Sequence, residues 1–325
     1  MNEETSAASR RGALSRGERV ATIDIGTNSV LLLVAEVDEN GALVPIDERA
    51  TITRLGEGVD KTRRLSDAAI ARTLECLANY GDAIRAAGAR RADAVGTSAM
   101  RDAGGGSELR ARAKELLGFE PRVISGDAEA RLTFSGALSG LGVIGAASVF
   151  DIGGGSTEII RGDATTRRID EAKSLDIGSV RLTERHVKSD PPTDAEIAAI
   201  ERDIESALAS APTVAGDLVG VAGTVTTIAA IAKGIDPYDA SKIHGAVLER
   251  SDIERVAALL ESLKQDERVE LPGLSPKRAD VIIAGTRICL AIARRSSGGR
   301  VLVSDRGVRW GLAEDLAKGD LSALV

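Results

Sequence analysis

Aromatic side chains make up only 2% of the 325 residues: one Trp, two Tyr and three Phe. The stacking platforms that grip single-stranded nucleic acid are therefore largely missing. Positive charge is not in excess either. The 42 Lys and Arg against 49 Asp and Glu leave a formal charge of −7, which argues against a general nucleic-acid binder. An anionic small substrate is still allowed, because local basic side chains and a divalent cation override the global sign. The two cysteines, Cys76 and Cys289, lie far apart in apolar helical patterns and read as buried thiols of a reducing compartment. No apolar run reaches the length of a membrane span. Residues 1–18 are polar and arginine-bearing, with no hydrophobic signal core, and read as a disordered tail. The expectation is a cytoplasmic chain with no membrane and no nucleic-acid partner. Two isolated histidines, His186 and His244, and no Cys/His cluster leave zinc unexpected. The P-loop pattern G-x-x-x-x-G-K-[ST] is absent, as is a G-x-G-x-x-G following a strand.

What is present centres on Asp151-Ile152-Gly153-Gly154-Gly155-Ser156-Thr157-Glu158, which follows the apolar run from Ala146 to Phe150. A strand runs into an acid, breaks on three glycines and resumes at Glu158. Three adjacent glycines leave backbone N–H groups uncovered, so a phosphate can approach the main chain closely. Carboxylates cannot bind phosphate, but Asp151 and Glu158 could hold a divalent cation that does. The chain opens on the same design: Val20 to Thr27 is a strand ending in Asp24-Ile25-Gly26-Thr27, and Ser29 to Val37 is its return. Asp24 and Asp151 stand 127 positions apart, and the same offset places Ala94-Val95-Gly96-Thr97 on Val221-Ala222-Gly223-Thr224. A shared offset points to a duplicated architecture.

Between these anchors, strands alternate with capped helices. Ser66 caps a helix with Ile70, Leu74, Leu77 and Ile84 on one face, and Gly118 closes another carrying Leu109, Ala113, Leu116 and Leu117. Asp127 to Leu138 reads as helix and Lys173 to Val180 as extended chain. Thr193 with Glu196 makes a capping box, and Ser251 with Glu254 reads as a second. Ser275-Pro276 starts a helix running through Ile288 and Ile292. The expected domains are 19–137, with the C-terminal helix at 308–325 as a possible completion, and 138–307. No low-complexity linker separates them, so they are expected to face each other across a cleft.

Candidate site residues follow from this layout. In the two turns, backbone N–H groups flank a polyphosphate, with Thr27, Asn28, Ser29, Ser156 and Thr157 as side-chain donors. The competing reading is a pair of tight hairpins in which glycine supplies positive φ. Glu129, on the first turn of a helix, has two readings open: it complements the helix dipole, or it is a general base for water. Asp127 is a candidate cap and Arg131 a candidate phosphate-steering group. Arg101 lies just beyond a strand as a candidate phosphate clamp. Gly223-Thr224 opens a helix whose N-terminus favours an anion. Arg306 and Arg309 again place basic side chains at a strand end.

These motifs resemble the exopolyphosphatase/guanosine pentaphosphate phosphohydrolase family, a branch of the actin–sugar kinase superfamily. The resemblance rests on D-I-G-T-N-S (24–29), G-T-S-A-M-R (96–101), I-S-G-D-A-E-A-R (124–131), D-I-G-G-G-S-T-E (151–158), G-V-A-G-T (220–224) and S-D-R-G-V-R-W-G-L (304–312). It implies an α/β fold of duplicated actin-like (ribonuclease H-like) domains around a central cleft. It further implies Glu129 as catalytic base, Asp151 and Glu158 as ligands of Mg²⁺ or Mn²⁺, and phosphate binding by Asn28, Arg101 and Gly153 to Thr157. With them the phosphate-binding set comprises Asp24, Gly26, Thr27, Asn28, Ser29, Arg101, Gly153, Gly154, Gly155, Ser156, Thr157, Gly223 and Thr224. The implied activity is hydrolysis of the terminal phosphate of inorganic polyphosphate, by a cytoplasmic homodimer tied to the stringent response. The alternatives are guanosine pentaphosphate as substrate, a phosphotransferase of the same fold, or a non-catalytic polyphosphate or nucleotide sensor. Two departures stand out. Asp127-Ala128-Glu129 replaces the consecutive glutamates of many members, and the length fits a short two-domain form.

Overall fold

The computed structural model describes residues 12–319. The first half runs β1 (Arg19–Ile25), β2 (Ser29–Val37), β3 (Leu43–Ile52), α1 (Asp67–Ala87), β4 (Arg91–Gly96), α2 (Gly106–Leu117), β5 (Arg122–Val123) and α3 (Gly126–Leu138). Next come β6 (Ala146–Ile152), β7 (Thr157–Asp163), β8 (Arg168–Leu175), α4 (Ser179–His186), α5 (Asp194–Leu208), β9 (Asp217–Val221) and α6 (Ala222–Lys233). Finally come β10 (Val247–Leu248), α7 (Arg250–Ser262), α8 (Ile282–Ala293), β11 (Val301–Val303) and α9 (Val308–Lys318); shorter helical turns are named by their residues. The chain divides into two compact units, 12–132 with 308–319, and 133–307, so the division falls inside α3.

Each unit is built on one sheet. The first has the order β3-β2-β1-β4-β5, and the second, read from its far edge, β8-β7-β6-β9-β11-β10. In the first, β1 pairs antiparallel with β2 and parallel with β4. In the second, β6 pairs antiparallel with β7 and parallel with β9. The duplication read from the 127-residue offset is thus a duplication of topology, with β10 as an addition to the second copy. Hairpins join β1 to β2 and β6 to β7, whereas the parallel steps need helical crossovers, which α1 and α6 help to supply.

Period-2 alternation explains why the first sheet has two cores. Ala21, Ile23 and Ile25 of β1 and Val30, Leu32 and Val34 of β2 face one core, with Ile70, Leu74, Leu77 and Ile84 of α1 and Leu109, Ala113 and Leu117 of α2. Val20 of β1 and Leu33, Ala35 and Val37 of β2 face the other, where Trp310, Leu312, Ala313 and Leu316 of α9 pack. The buried Thr22 hydroxyl on that face donates to the Arg309 carbonyl over 2.8 Å, so no polar group is stranded there. In the second unit a single core joins Ile197, Ile200, Ile204 and Leu208 of α5 to Ile228 of α6, Val256 and Leu260 of α7, and Ile288 and Ile292 of α8.

Ser66 accepts from Ala69 N–H, and Thr193 with Glu196 forms the reciprocal capping box, as their spacing implies. Four readings need correction. The tail at 1–18 is too long: Leu14 is buried and donates its N–H to the Ala317 carbonyl, while Gly17 N–H donates to Val37. Residues 1–11 lie outside the described chain, as do residues 320–325 of the expected C-terminal helix. The stretch 173–180 is extended only to Leu175, and Gly178 then caps α4. The cap of α7 is Glu249, not Ser251; the Asp252 carboxylate accepts the Glu249 N–H over 3.2 Å. Pro276 opens only a 3₁₀ turn to Arg278, and α8 begins at Ile282.

Candidate active site

In the first unit β1, β4 and β5 run parallel, and three chain segments leave their C-terminal ends. Asp24 stands next to the end of β1, opposite Leu31 of β2 and Val95 of β4. The following turn closes with Gly26 N–H on the Ser29 carbonyl at 3.0 Å. A Cβ on Gly26 would lie 3.0 Å from that same oxygen, and its φ is not in the left-handed region. Glycine here serves close approach and not positive φ. Residues 53–56 cover the back of the turn: Gly56 N–H donates to the Thr27 carbonyl, and Thr53 and Arg54 N–H donate to Asn28.

Thr27 Oγ1 lies 2.9 Å from Ser98 Oγ, tying this turn to the segment after β4. There the short helix Ser98–Asp102 delivers Arg101, whose guanidinium donates to the Ile124 carbonyl at 3.1 Å and to Glu129 Oε2 at 3.0 Å. Glu129 is 7% exposed. Its helix is capped by Ser125, which accepts the Ala128 N–H at 3.2 Å, and not by Asp127, which is exposed. The candidate base and the candidate clamp are thus in one ion pair, a pairing that sequence spacing did not reveal. Arg131 is not aimed at this site; it pairs with Asp315 of α9 at 2.6 Å. Arg309 likewise reaches Glu48 of β3 at 2.7 Å and anchors the start of α9.

In the second unit the corresponding turn closes with Gly153 N–H on the Ser156 carbonyl at 3.0 Å. Asp151 sits directly opposite Glu158 across β6 and β7, and Glu158 directly opposite Ser174 of β8. The three side chains form a row on one face of the sheet. Ser174 donates to Glu158 Oε1 at 2.6 Å and fixes the orientation of that buried carboxylate. The Thr157 hydroxyl donates to the Ile177 carbonyl at 2.7 Å, so its proton is committed to the fold. The carbonyls of the glycine run face α4: Ser179 N–H donates to Gly153, Val180 and Arg181 N–H to Gly154, and Arg181 Nε to Gly155.

β9 ends on Val221, and α6 begins at Ala222, whose φ of 68° lies in the left-handed region. A non-glycine residue in that region marks a sharply constrained turn. The next carbonyl, Gly223, accepts Arg278 Nη1 at 2.7 Å and the Thr227 hydroxyl at 2.6 Å. A Cβ on Gly223 would collide with that guanidinium at 2.3 Å. Thr224 Oγ1 stands 3.5 Å from the Ile152 carbonyl, next to the glycine run. Burial lowers the pKa of Arg278, opposed by Tyr238 and Asp305 nearby. Arg278 joins the candidate Gly223 turn unannounced by the sequence; it lies 55 positions from Gly223, and only the tertiary fold joins them. After β11, Arg306 reaches Ser139 Oγ at 3.1 Å. His186 pairs with Asp203 at 2.8 Å, and His244 Nδ1 sits 3.4 Å from Ser304 Oγ, both in structural contacts.

The donor chemistry for a cation can be tested on Asp151 and Glu158. Two carboxylates directly opposite on adjacent strands repel, and a divalent cation between them offsets that cost. Among the described residues no group of three or more His, Cys, Asp and Glu is set to hold a metal. A two-carboxylate oxygen set fits Mg²⁺, which keeps several waters and takes the rest of its shell from substrate phosphates. It does not fit zinc, which takes three or four protein ligands.

The model of the Ppx/GppA phosphatase family matches residues 33–319. The chain is 38% identical over 317 residues to Exopolyphosphatase 2 of Mycobacterium tuberculosis, covering 92% of this chain and 98% of that one. The crystal structure of the Aquifex aeolicus Ppx/GppA family member is similar at a TM-score of 0.80 and 35% identity, covering 94% and 99% of the two chains. An exopolyphosphatase of Cytophaga hutchinsonii shares the fold at a TM-score of 0.83 and 24% identity, over 93% and 98%. With the repeated sheet topology, these likenesses make the fold a duplicated actin-like α/β fold. No helix among the described residues is long and apolar enough to cross a membrane.

Proposed function

Because the chain belongs to the Ppx/GppA phosphatase family and is thereby a phosphoric anhydride hydrolase, we propose that it removes the terminal phosphate of inorganic polyphosphate, with Glu129 as general base. The observation that carries this reading is the pair of buried Glu129 with half-buried Arg101 at the strand ends of the first unit. A terminal phosphate can take the guanidinium in a bidentate, charge-assisted pair of its own. As Arg101 turns to the phosphate, Glu129 is released to accept a proton from the attacking water. The water oxygen bonds to the terminal phosphorus, the bridging P–O bond breaks, and a chain one phosphate shorter leaves together with orthophosphate. The catalytic task is mainly positioning and charge stabilisation.

In this reading Asp151 and Glu158 hold Mg²⁺, or Mn²⁺ in its place, which neutralises phosphate charge when bound. The N–H groups of Gly154, Gly155 and Ser156 and those of Thr27 and Asn28 orient the phosphates, and Ser98 Oγ, tied to Thr27, adds a further donor. The reading extends to a cytoplasmic homodimer. Its test is phosphate release from short polyphosphate, long polyphosphate and guanosine pentaphosphate in parallel, with and without Mg²⁺. Cation-dependent release from polyphosphate, fastest on short chains, is expected. Release from guanosine pentaphosphate alone would reassign the substrate, and phosphate transfer requiring ADP or a sugar would reassign the reaction.

A further inference from the structure

α4 meets the glycine turn in a way that the chemistry above does not require. Its first turn donates Ser179 N–H to the Gly153 carbonyl at 3.0 Å, and Val180 and Arg181 N–H to the Gly154 carbonyl at 2.9 and 3.0 Å. The Ser179 hydroxyl adds a second bond to Gly153 at 3.2 Å. Arg181 Nε completes the set on the Gly155 carbonyl at 2.6 Å, a short, charge-assisted bond. Gly178 permits the approach, since a Cβ there would lie 2.4 Å from the Gly154 oxygen. Three successive carbonyls are therefore pinned toward one helix end.

The consequence follows from the peptide plane. In a trans peptide the C=O of one residue and the N–H of the next point in opposite directions. With the carbonyls of Gly153, Gly154 and Gly155 held against α4, the N–H groups of Gly154, Gly155 and Ser156 must point away from it, side by side. Such a row of N–H groups is an anion-binding nest. Hydrogen-bonded chains also polarise one another, so donors behind each carbonyl strengthen the N–H on the far side. The arginine matters most at Gly155, where no backbone N–H of α4 reaches. An ion pair with Asp176, at 3.6 Å, involves an exposed carboxylate and contributes little.

We propose that Arg181 is a positioning residue of the phosphate-binding turn. Together with the first turn of α4 it forms a back-plate that holds three peptide N–H groups ready for a phosphate before substrate arrives. The claim rests on the function proposed above, because it assigns those N–H groups to polyphosphate. The first unit backs its turn with the main chain of residues 53–56.

The test compares wild type with Arg181→Met, which keeps length but has no donor, and Arg181→Lys, which keeps one donor for Gly155. Two readouts are taken: KM and kcat for tripolyphosphate at saturating Mg²⁺, and amide hydrogen exchange of segment 153–158. Arg181→Met is expected to raise KM about tenfold, the cost of one lost charge-assisted bond. Exchange at Gly153, whose N–H closes the turn on the Ser156 carbonyl, should accelerate, while β6 and β9 stay protected. Arg181→Lys should recover most of both effects. A merely structural role would lower kcat with the folded fraction and leave KM unchanged, and that result overturns the proposal. So does unchanged exchange in Arg181→Met. Should Arg181→Met fail to fold, Arg181→Lys with wild-type exchange but a KM raised tenfold overturns it too, whereas wild-type values in both readouts support it. A wild type that releases no phosphate refutes the function instead, and the exchange arm still decides whether Arg181 sets the turn.

Discussion

Gly26 donates to Ser29 and Gly153 to Ser156, each over 3.0 Å, yet the strands leaving the two turns carry different chemistry. Opposite Asp24 the return strand places Leu31; opposite Asp151 it places Glu158. The third parallel strand of each unit diverges as well. The segment after β5 leads to the acid Glu129, and the segment after β11 leads to the base Arg306. Both turns are closed by main-chain hydrogen bonds, which every non-proline residue can make. Side chains were free to divide the labour. One unit holds the carboxylate pair suited to a cation, and the other holds the carboxylate–guanidinium pair suited to moving a proton.

That division can be broken at named residues. Asp151→Asn removes one charge of the acid pair without changing its size, and turnover should fall ~1,000-fold or more, in the range for losing electrostatic stabilisation of transferring phosphate. Steady-state phosphate release measures it, and excess Mg²⁺ should restore part of the loss. Glu129→Gln should cost at least ~100-fold in kcat, the usual contribution of a general base, with the circular dichroism spectrum unchanged. Near-normal turnover would move the base elsewhere. Trp310→Ala probes the frame instead, because this side chain is 1% exposed in the second core of the first unit. A loss of about 3–5 kcal/mol is expected. Hydrogen exchange should quicken in β1 and β2 and stay slow in β6 and β9. Smallest of all, Ser174→Ala removes the partner that orients Glu158, and the apparent affinity for Mg²⁺ should weaken about tenfold.

Local physics explains what could be read from the chain alone. The turns at Gly26 and Gly153 are closed by residues three positions away, and Ser66 and Thr193 cap helices within one turn. Such features are written in consecutive residues. α4 was misread because its buried positions are only Ser179 and Leu182, too few to impose a helical period on an otherwise polar segment. The pairing of Arg101 with Glu129 spans 28 positions, that of Arg278 with Gly223 spans 55, and that of Arg309 with Glu48 spans 261. No spacing rule connects such residues; the sheet order does. Arg309 also shows why a basic residue near a strand end is weak evidence for a phosphate contact, since its charge is used to seat a helix.

The division of labour is tested most directly by titrating Mg²⁺ against phosphate release in Glu158→Gln and Glu129→Gln side by side. If the second unit serves the cation and the first the proton, Glu158→Gln raises the Mg²⁺ concentration for half-maximal activity by about tenfold or more. Glu129→Gln then lowers kcat and leaves that concentration within about twofold of wild type. A shifted Mg²⁺ requirement in Glu129→Gln, or an unshifted one in Glu158→Gln, would contradict the assignment.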